Sequence, residues 1–352
     1  MKKHSLLLVI VGAVVIGALA IIVSRPKRSQ KDGSIPSLKI ATAPYQDLAM
    51  LVNGPKLGFD EKAGISIELI TMAWEDILPS VASAGRTVDV GFGSYVEYLT
   101  KFAKINEGVD DPVLYVQPLY VYKGGGFIAL STNIAAFGPT ELADRVAVQR
   151  LKKYKIGAQK QSLYDMMLYS VAQRAGIKPK ELTVFDTPMN DGLLALETKS
   201  LDLAAAGLTQ VTEARKRGGQ LVISMEDAGF ADVTGFICRR STLQIKRQQI
   251  EALIRIWYQC VDYVYADMEK NSVHSMNYLR KTAATKYTYQ EYVQALSQEY
   301  LPRTLGELRT NVLAAGAKYD FGRIGKDINE YLVGNGLLSK PTPLPTALLG
   351  TP

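Results

Sequence analysis

A short phrase occurs twice in this chain, and it constrains the fold more than any other feature. Residues 84–91 read Ala-Gly-Arg-Thr-Val-Asp-Val-Gly, and residues 197–204 read Glu-Thr-Lys-Ser-Leu-Asp-Leu-Ala. Each copy follows an apolar helix-like run and ends in small residues, which is typical of a helix, a tight turn and a short buried strand. The repeat predicts two similar α/β lobes with a cleft between them, although α/β proteins also supply such segments by chance. We expect Asp89 and Asp202 to hold the turns and strand starts.

The charge and the rare residue types exclude several functional classes. The net charge of +7 is spread along 352 residues, and its basic clusters are not interleaved with aromatic residues, so we expect no nucleic-acid partner. The two histidines and two cysteines are too few for a Cys/His zinc site, and we expect no metal and no cofactor. Cys238 and Cys260 are expected to be separate buried thiols, with a disulfide as the alternative. No nucleophile motif is present, which predicts a protein that is not an enzyme.

The first residues differ from the rest of the chain. Residues 6–23 form an uncharged apolar run between Lys2-Lys3 and the basic segment 24–28. Such a run is just long enough to span a bilayer, so residues 1–24 are expected to be a membrane anchor or a cleaved signal peptide. A third alternative follows from the Lys and Arg after the run, which favour a cytoplasmic body. Polar residues 25–37 are then predicted to be a tether.

The remaining pattern predicts how the lobes are divided along the chain. Alternating strands and helices place the first part of lobe 1 at 38–126 and lobe 2 at 127–234. Residues 235–340 are expected to return to lobe 1 and to supply C-terminal helices, and residues 341–352 to be a loose tail. The crossings between lobes are expected at Gly124–Phe127 and at Gly235-Phe236, where glycine gives the backbone freedom to open and close.

Small and polar residues follow the predicted strand ends, which is where α/β folds bind small molecules. For each residue alone, a role as a helix cap or turn former is the alternative, and for Trp74 it is core packing. Their placement in both lobes nevertheless favours a ligand cleft. The expected ligand-binding residues are Thr42, Tyr45, Gln46, Trp74, Gly93, Ser94, Tyr95, Gly126, Gln161, Ser162, Asn190, Asp191, Thr209 and Gln210.

A family resemblance rests on several short segments in order. They include Leu-Lys-Ile-Ala-Thr-Ala-Pro (38–44), Ala-Gly-Arg-Thr-Val-Asp-Val (84–90) and Leu-Ala-Leu-Glu-Thr-Lys-Ser-Leu-Asp-Leu (194–203). Over residues 38–338 the chain resembles the solute-binding proteins of ABC importers for nitrate, sulfonates and taurine, and the related proteins that bind thiamine-pyrimidine precursors. The departures are Thr198 in place of a common glycine, an insertion at 139–153, no cysteine for lipid attachment, and no Trp or Pro at 208–210, where the family usually has one.

The resemblance implies an α/β, two-lobed type II periplasmic-binding-protein fold with a helical C-terminal region. It further implies a body, expected to be monomeric, that captures a small solute outside the cytoplasm, in the periplasm where there is one, and delivers it to ABC permease subunits. Residues 6–23 would anchor this body to the cytoplasmic membrane if they are retained. Among the expected residues, the resemblance implies solute contacts near Thr42, Tyr45, Ser94, Gln161, Ser162, Asn190 and Thr209.

Alternatives for the role and for the solute stay open. The body could be a membrane-tethered sensor or accessory module, or a relative of the thiamine-pyrimidine synthases. The chemistry of those enzymes needs a cysteine-rich iron site and histidine, and this chain has only two cysteines and two histidines. The basic balance and the helix N-termini in the cleft suggest an anionic solute. Asp186, Asp191, Glu226 and Asp227 equally suit an amine or a neutral ring.

Overall fold

Two β-sheets organise the part of the chain that this computed structural model describes, residues 35–83, 85, 87–283 and 286–350. The described residues from 36 onward form one compact unit. The predicted leader 1–24 and all but residues 35–37 of the predicted tether lie outside the described residues. Within the described ranges, no helix combines the length and apolar character needed to cross a membrane.

The strands and helices have the following bounds. The strands are β1 (Ser37–Thr42), β2 (Ser66–Thr71), β3 (Val90–Ser94), β4 (Val113–Tyr122), β5 (Gly126–Ala129), β6 (Lys155–Ala158), β7 (Thr183–Asp186), β8 (Leu203–Ala206), β9 (Gln220–Ser224), β10 (Asp232–Arg239) and β11 (Glu299–Tyr300). The α-helices are Asn53–Lys56, Phe59–Lys62, Trp74–Ala82, Tyr95–Asn106, Pro139–Ala143, Arg145–Val148, Leu163–Arg174, Gly192–Glu197, Leu208–Lys216, Arg240–Ile245, Arg247–Ala266, Met268–Asn271, Val273–Thr282, Tyr289–Ser297, Leu305–Leu308 and Phe321–Gly334. Short 3-10 helices cover Leu48–Val52, Gln149–Lys153, Pro179–Glu181 and Met189–Asp191, and a π-helical turn covers Arg309–Leu313.

The first lobe is built on a six-stranded sheet in the order β11-β4-β10-β3-β1-β2. Strands β2, β1 and β3 are parallel, whereas β10 runs antiparallel to both β3 and β4. Strand β3 is buried along its whole length, since helices pack over the sheet. A Cβ at Gly91 would lie 2.7 Å from Ile77, so glycine lets the helix Trp74–Ala82 approach the strand closely. Trp257, in the helix Arg247–Ala266, is fully buried and packs on Phe92.

The second lobe is built on a five-stranded sheet in the order β7-β6-β8-β5-β9. Strands β7, β6 and β8 are parallel, and β5 pairs antiparallel with β8 and β9. In both lobes, therefore, helices follow the parallel strands, so these helices begin at one edge of the sheet. This is the α/β, two-lobed arrangement that the repeated phrase predicts, and the C-terminal part of the chain is helical as expected.

Two short segments connect the sheets, and the second differs from the expected crossing. Residues 123–125 join β4 to β5, and residues 225–231 join β9 to β10. Gly235 and Phe236 instead lie inside β10, paired with both β3 and β4. The sequence predicted a hinge at this glycine. Close strand packing requires the glycine instead, because a Cβ there would lie 2.3 Å from the carbonyl oxygen of Gln117. Lys123 and Glu226 form an ion pair at 3.1 Å from one connection to the other.

The two aspartates of the repeated phrase do the same structural work in each lobe. Asp89 accepts a hydrogen bond from the backbone N–H of Lys39 at 2.9 Å and donates its own N–H to the Lys39 carbonyl at 2.8 Å. Asp202 and Lys155 repeat both contacts, at 2.8 and 2.9 Å. We call each a reciprocal pair. The expectation that these aspartates hold strand starts is confirmed, because each pair ties the start of one parallel strand to the next.

Two further expectations have clear outcomes. Residues 341–350 are not loose: Leu348 donates its N–H to Val116 at 2.8 Å, and Leu349 donates to the side-chain oxygen of Gln117 at 2.8 Å. These partners belong to β4, far away in sequence, so no local pattern could reveal the contact. Cys238 and Cys260 are free, buried thiols, and the disulfide alternative is wrong.

Candidate functional site

A cavity lies between the two sheets, and we call it the cleft. It encloses about 740 Å³, counting the open solvent at its mouth. Its walls come from loops and helix starts at the strand ends of both lobes. The lining residues are Tyr45, Gln46, Asp47, Trp74, Glu75, Ser94, Glu97, Tyr120, Tyr122, Gln159, Ser162, Leu163, Tyr164, Met189, Ala205, Gly207, Leu208, Thr209, Asp232 and Thr234.

One side of the cleft begins where β1 and β2 end. The Tyr45 N–H donates to the Ala43 carbonyl at 2.8 Å, and this turn directs Tyr45 toward the cleft. Trp74 begins the helix Trp74–Ala82, and its ring centroid lies 6.1 Å from that of Tyr45 at a tilt of 36°. The Trp74 indole N–H donates to Glu97 at 3.3 Å, which joins two helix starts. An aromatic pair and two carboxylates, those of Glu75 and Glu97, thus lie together on the first-lobe wall.

A buried carboxylate, Asp232, supports the start of the next helix. Its Oδ1 atom accepts backbone hydrogen bonds from Val96 at 3.0 Å and from Val233 at 2.8 Å. Ser94 caps the same helix by accepting from the Glu97 N–H at 3.1 Å. Burial is the largest influence on Asp232 and raises its pKa to about 7, against the lowering effect of these hydrogen bonds.

Two further carboxyl groups, those of Asp47 and Glu299, lie beside Gln46 at the base of the first-lobe wall. We call these three residues the floor. Asp47 and Glu299 are 3% and 7% exposed, and Gln46 donates its amide N–H to Glu299 at 3.1 Å. Tyr120 donates its hydroxyl to Asp47. Burial raises the pKa of both carboxyl groups, and the nearby Asp47 carboxyl raises that of Glu299 further. One oxygen on each of Gln46, Asp47 and Glu299 has no hydrogen-bond donor among the described residues.

The second-lobe wall has no formal charge and combines polar with apolar side chains. Ser162 caps the helix Leu163–Arg174, accepting from the Asp165 N–H at 3.4 Å. The helix Leu208–Lys216 begins after Gly207 without a side-chain cap, and the Gly207 N–H contacts the Met189 sulfur at 3.2 Å. Charged side chains are absent from the lining that the described residues of this lobe contribute.

Polar contacts also join the two lobes across the cleft. The hydroxyl groups of Tyr122 and Tyr164 lie 2.9 Å apart. Tyr287 donates its hydroxyl to Thr209 at 2.7 Å, and Lys216 forms an ion pair with Glu291 at 3.3 Å. The structure therefore presents the lobes in mutual contact at the cleft.

The cleft brings together part of the expected ligand-binding set. The expected residues that line it are Tyr45, Gln46, Trp74, Ser94, Ser162 and Thr209. These six come from both lobes and belong to five different strand ends or helix starts, since Tyr45 and Gln46 both follow β1. Their contact with a solute stays a prediction.

The other expected residues lie outside the lining. Thr42 is buried at the end of β1, and Gly93 packs on Ile237. Tyr95 is buried, with its ring stacked on Phe321 at 4.2 Å. A Cβ at Gly126 would lie 1.8 Å from the Ile223 carbonyl, so glycine is needed there for sheet packing.

The remaining members of the set also lie outside the lining. Asn190 accepts a hydrogen bond from Gln210 at 3.2 Å. Gln161 donates its backbone N–H to Asp165, and Asp191 is exposed. Sequence reasoning placed them at the cleft because they start helices, but only part of each helix start faces the other lobe.

Sequence reasoning also missed lining residues that carry charge. Glu75 and Glu97 are first-turn carboxylates, which a sequence reader assigns to the helix dipole. Asp47 belongs to a loop, and Asp232 begins the strand that was misread as a crossing. The signal that could have found Asp47, Glu75 and Glu97 is their position one to three residues beyond an expected contact, Gln46, Trp74 or Ser94, whereas Asp232 has no such signal. Among the described residues, no group of His, Cys, Asp and Glu is arranged to hold a metal ion.

Comparisons with known proteins agree on the fold. The pattern that defines the NMT1-like family matches residues 32–276, whereas no curated protein matches the chain. The periplasmic aliphatic sulphonate binding protein SsuA from Escherichia coli is 16% identical, with a TM-score of 0.63 over 88% of this chain and 96% of that one. The periplasmic nitrate-binding protein NrtA from Synechocystis PCC 6803 is 16% identical, with a TM-score of 0.58 over 73% of this chain and 69% of that one. The desulfurization enzyme DSZB is 12% identical, with a TM-score of 0.55 over 88% and 95%. The fold is therefore that of periplasmic binding proteins, and the fold prediction is confirmed.

Proposed function

The chain belongs to the NMT1-like family, and from this premise we propose that it is the solute-binding component of an ABC-type importer. Its cleft would capture one small molecule between the lobes, and the closed form would deliver that molecule to the permease subunits in the membrane. We place this activity outside the cytoplasm, and we take the body to be a monomer whose lobes follow the two sheets.

The observation that carries this proposal is the composition of the cleft walls. Both lobes contribute aromatic and hydrogen-bonding side chains to one cavity, and Tyr122 and Tyr164 meet across it. A solute that contacts both walls binds the closed arrangement better than the open one, and this difference in affinity drives closure. Reversible capture needs nothing more than such a difference.

The chemistry of the lining supports binding rather than catalysis. Both thiols lie in the core, where burial raises the pKa of Cys238 to about 12, so neither is poised as a nucleophile. The described lining contains no histidine to act as a general base at neutral pH. The fold also occurs in the enzyme DSZB, so the distinction rests on these side chains and not on the architecture.

Tryptophan fluorescence offers a direct test, because the chain has two tryptophans in different places. Trp74 lines the cleft, whereas Trp257 is fully buried in the core. We expect a bound solute to change the emission, and Trp74→Phe to abolish that change without loss of cooperative unfolding. Leu194→Ala, at a side chain that is 62% exposed on the second lobe, serves as the control and should leave the change intact.

The solute panel for this test spans sulfonates, inorganic oxyanions, amines and pyrimidines. Each is added to the purified protein while the melting temperature and the emission are recorded. The proposal requires that members of at least one class raise the melting temperature. A folded protein that responds to none of them would contradict an importer role, and turnover of any of them would contradict a role in binding alone.

A further inference from the structure

We propose that the cleft selects a small organic cation, a protonated amine or a related N–H donor on an apolar body. This inference rests on the proposed function, since it names the class of solute that the same cleft would capture. Its basis is the charge of the first-lobe wall, the unsatisfied acceptors at its floor and the aromatic rings around them.

The charge of the lining has one sign. Four carboxylic residues face the cleft, Asp47, Glu75, Glu97 and Asp232, and the described lining contains neither lysine nor arginine. Burial raises the pKa of Asp47 and of Asp232, so the formal charge that a solute meets is that of Glu75 and Glu97. Glu97 is partly compensated, because Trp74 donates to it and Lys101 lies 3.8 Å away. Glu75 has no hydrogen bond or ion pair to the side chain of any described residue. An anion would meet repulsion at this wall, whereas a cation would find a partner for Glu75.

The floor of the same wall has more hydrogen-bond acceptors than donors. This observation is separate from the charge of the lining. Gln46 and Asp47 are 2% and 3% exposed, both line the cleft, and each has an oxygen without a donor among the described residues. A buried acceptor without a donor costs about 1–3 kcal/mol, so such groups are normally satisfied. A proton on Asp47 or Glu299 would supply one donor, and burial raises the pKa of both groups. Such a proton would turn one of the three orphan oxygens into a donor to a second, which leaves one acceptor for an N–H group of the solute.

The aromatic rings that line the cleft suit the apolar part of such a solute. Tyr45 and Trp74 form a tilted pair, and Tyr120, Tyr122 and Tyr164 also line the cavity. The faces of such rings attract a cation within about 6 Å, and they bury apolar surface equally well. Rings and carboxylates on one wall are the combination that recognises organic ammonium groups.

Of the four helix starts at the cleft, which favoured an anion in the sequence, two are capped by the protein's own oxygens. The helices Trp74–Ala82 and Leu208–Lys216 begin without a side-chain cap, and Trp74–Ala82 has Glu75 and Asp76 in its first turn. At the helix Tyr95–Asn106, Asp232 accepts the Val96 N–H and Ser94 accepts the Glu97 N–H. Ser162 caps the helix Leu163–Arg174 in the second lobe. These N–H groups are therefore bound to the protein's own oxygens, and they offer little to an anionic solute.

The test compares solutes that differ only in their charged group. Benzyl, phenylethyl and n-pentyl compounds are each supplied as the primary amine, the alcohol, the carboxylate and the sulfonate, and binding is followed by melting temperature and calorimetry. We expect the amines to bind and the carboxylates and sulfonates to bind at least about tenfold more weakly, if at all. In Glu75→Gln the amines should lose about tenfold in affinity with the alcohols unchanged, and Glu330→Gln, at an exposed glutamate, should change neither.

The outcomes separate this inference from the proposed function. Binding by the sulfonates, carboxylates or alcohols without the amines would overturn the cation inference and leave the importer role in place. Amine binding that Glu75→Gln does not weaken would overturn the assignment of this wall as the recognition element. A folded protein that binds no member of any class would count against the importer role itself.

Discussion

The two lobes share one framework but differ in the wall that each presents to the cleft. In both, a reciprocal pair ties the start of one parallel strand to its neighbour, through Asp89 and Lys39 in one lobe and Asp202 and Lys155 in the other. The carboxylates of the described lining belong entirely to the first lobe, whereas the second contributes uncharged groups such as Ser162 and Thr209. The strand contacts are therefore the same in both lobes, whereas the side chains that face the cleft differ. We infer that the first lobe recognises the solute and the second completes the enclosure.

The largest expected effect comes from one buried aspartate in each lobe whose pKa is raised by burial. Burial raises the pKa of Asp232 in the first lobe to about 7 and that of Asp165 in the second lobe to about 6. Both values are above those of the unfolded chain, so the stabilisation is complete below about pH 4 and is lost as the pH rises through 6 or 7. Over each pH unit in which the folded state keeps one proton that the unfolded state has lost, the free energy of unfolding falls by about 1.4 kcal/mol.

We therefore expect urea unfolding to show a falling stability from about pH 4 to about pH 8. Asp232→Asn should remove several kcal/mol of that fall, and Asp165→Asn a smaller part that ends at lower pH. Asp327→Asn, at a side chain that is 61% exposed, is the control and should leave the pH profile unchanged. Equal pH profiles in Asp232→Asn and the wild-type protein would contradict a protonated Asp232.

A smaller effect distinguishes the two reciprocal pairs. Asp89 has an additional ion pair with Lys246 at 2.8 Å, and both side chains are half-buried. Asp202 has no ion pair with any described residue. Asp89→Ala should therefore lower the free energy of unfolding by about 2 kcal/mol and Asp202→Ala by about 1 kcal/mol, measured in urea.

A third variant, Lys246→Met, isolates the reason for that difference. In this background, Asp89→Ala should lower the free energy of unfolding by nearly as little as Asp202→Ala does. The reason is that the Asp89 carboxylate would then have only its hydrogen bond with the Lys39 N–H to lose. If Asp202→Ala proved the more damaging of the two single changes, the lobes would not rest on equivalent pairs.

The smallest effect is a gain in stability at the floor of the acidic wall. Asp47→Asn keeps an oxygen for the Tyr120 hydroxyl and adds an N–H group among acceptors that lack donors. We expect the free energy of unfolding to rise by about 1 kcal/mol while amine binding weakens. The two changes have opposite signs, and urea unfolding and calorimetry on the same sample measure both. A loss of stability together with unchanged binding would show that the floor does not take part in recognition.

The framework was more accessible from the sequence than the site, for a physical reason. A buried strand with small residues and a neighbouring aspartate leaves a local pattern, so both copies of the phrase could be recognised and the roles of Asp89 and Asp202 predicted. The docking of residues 341–350 on β4 has no local pattern, because the partners at Val116 and Gln117 are distant in sequence. Gly235 shows the opposite failure, since glycine serves close packing as often as flexibility and the sequence does not distinguish the two.

The site was predictable only where a residue lies at or shortly after a strand end. Tyr45 and Ser94 were found in this way, and Thr209 was found in the second lobe. Glu75 and Glu97 were not, because a carboxylate in the first helical turn has a sufficient local explanation in the helix dipole. The acidic character of the wall appears only when β3, β10 and the two helices come together in space.

The reciprocal pairs also determine which changes related chains can tolerate at these strands. Asp89 and Asp202 bind backbone N–H and carbonyl groups of their partners, so the side chains of Lys39 and Lys155 take no part. Positions 39 and 155 can therefore vary in charge and size without loss of the contact. Proline is the exception, because it has no N–H to donate. The two aspartates carry the constraint, and the lysines leave the surface of each lobe free to diverge.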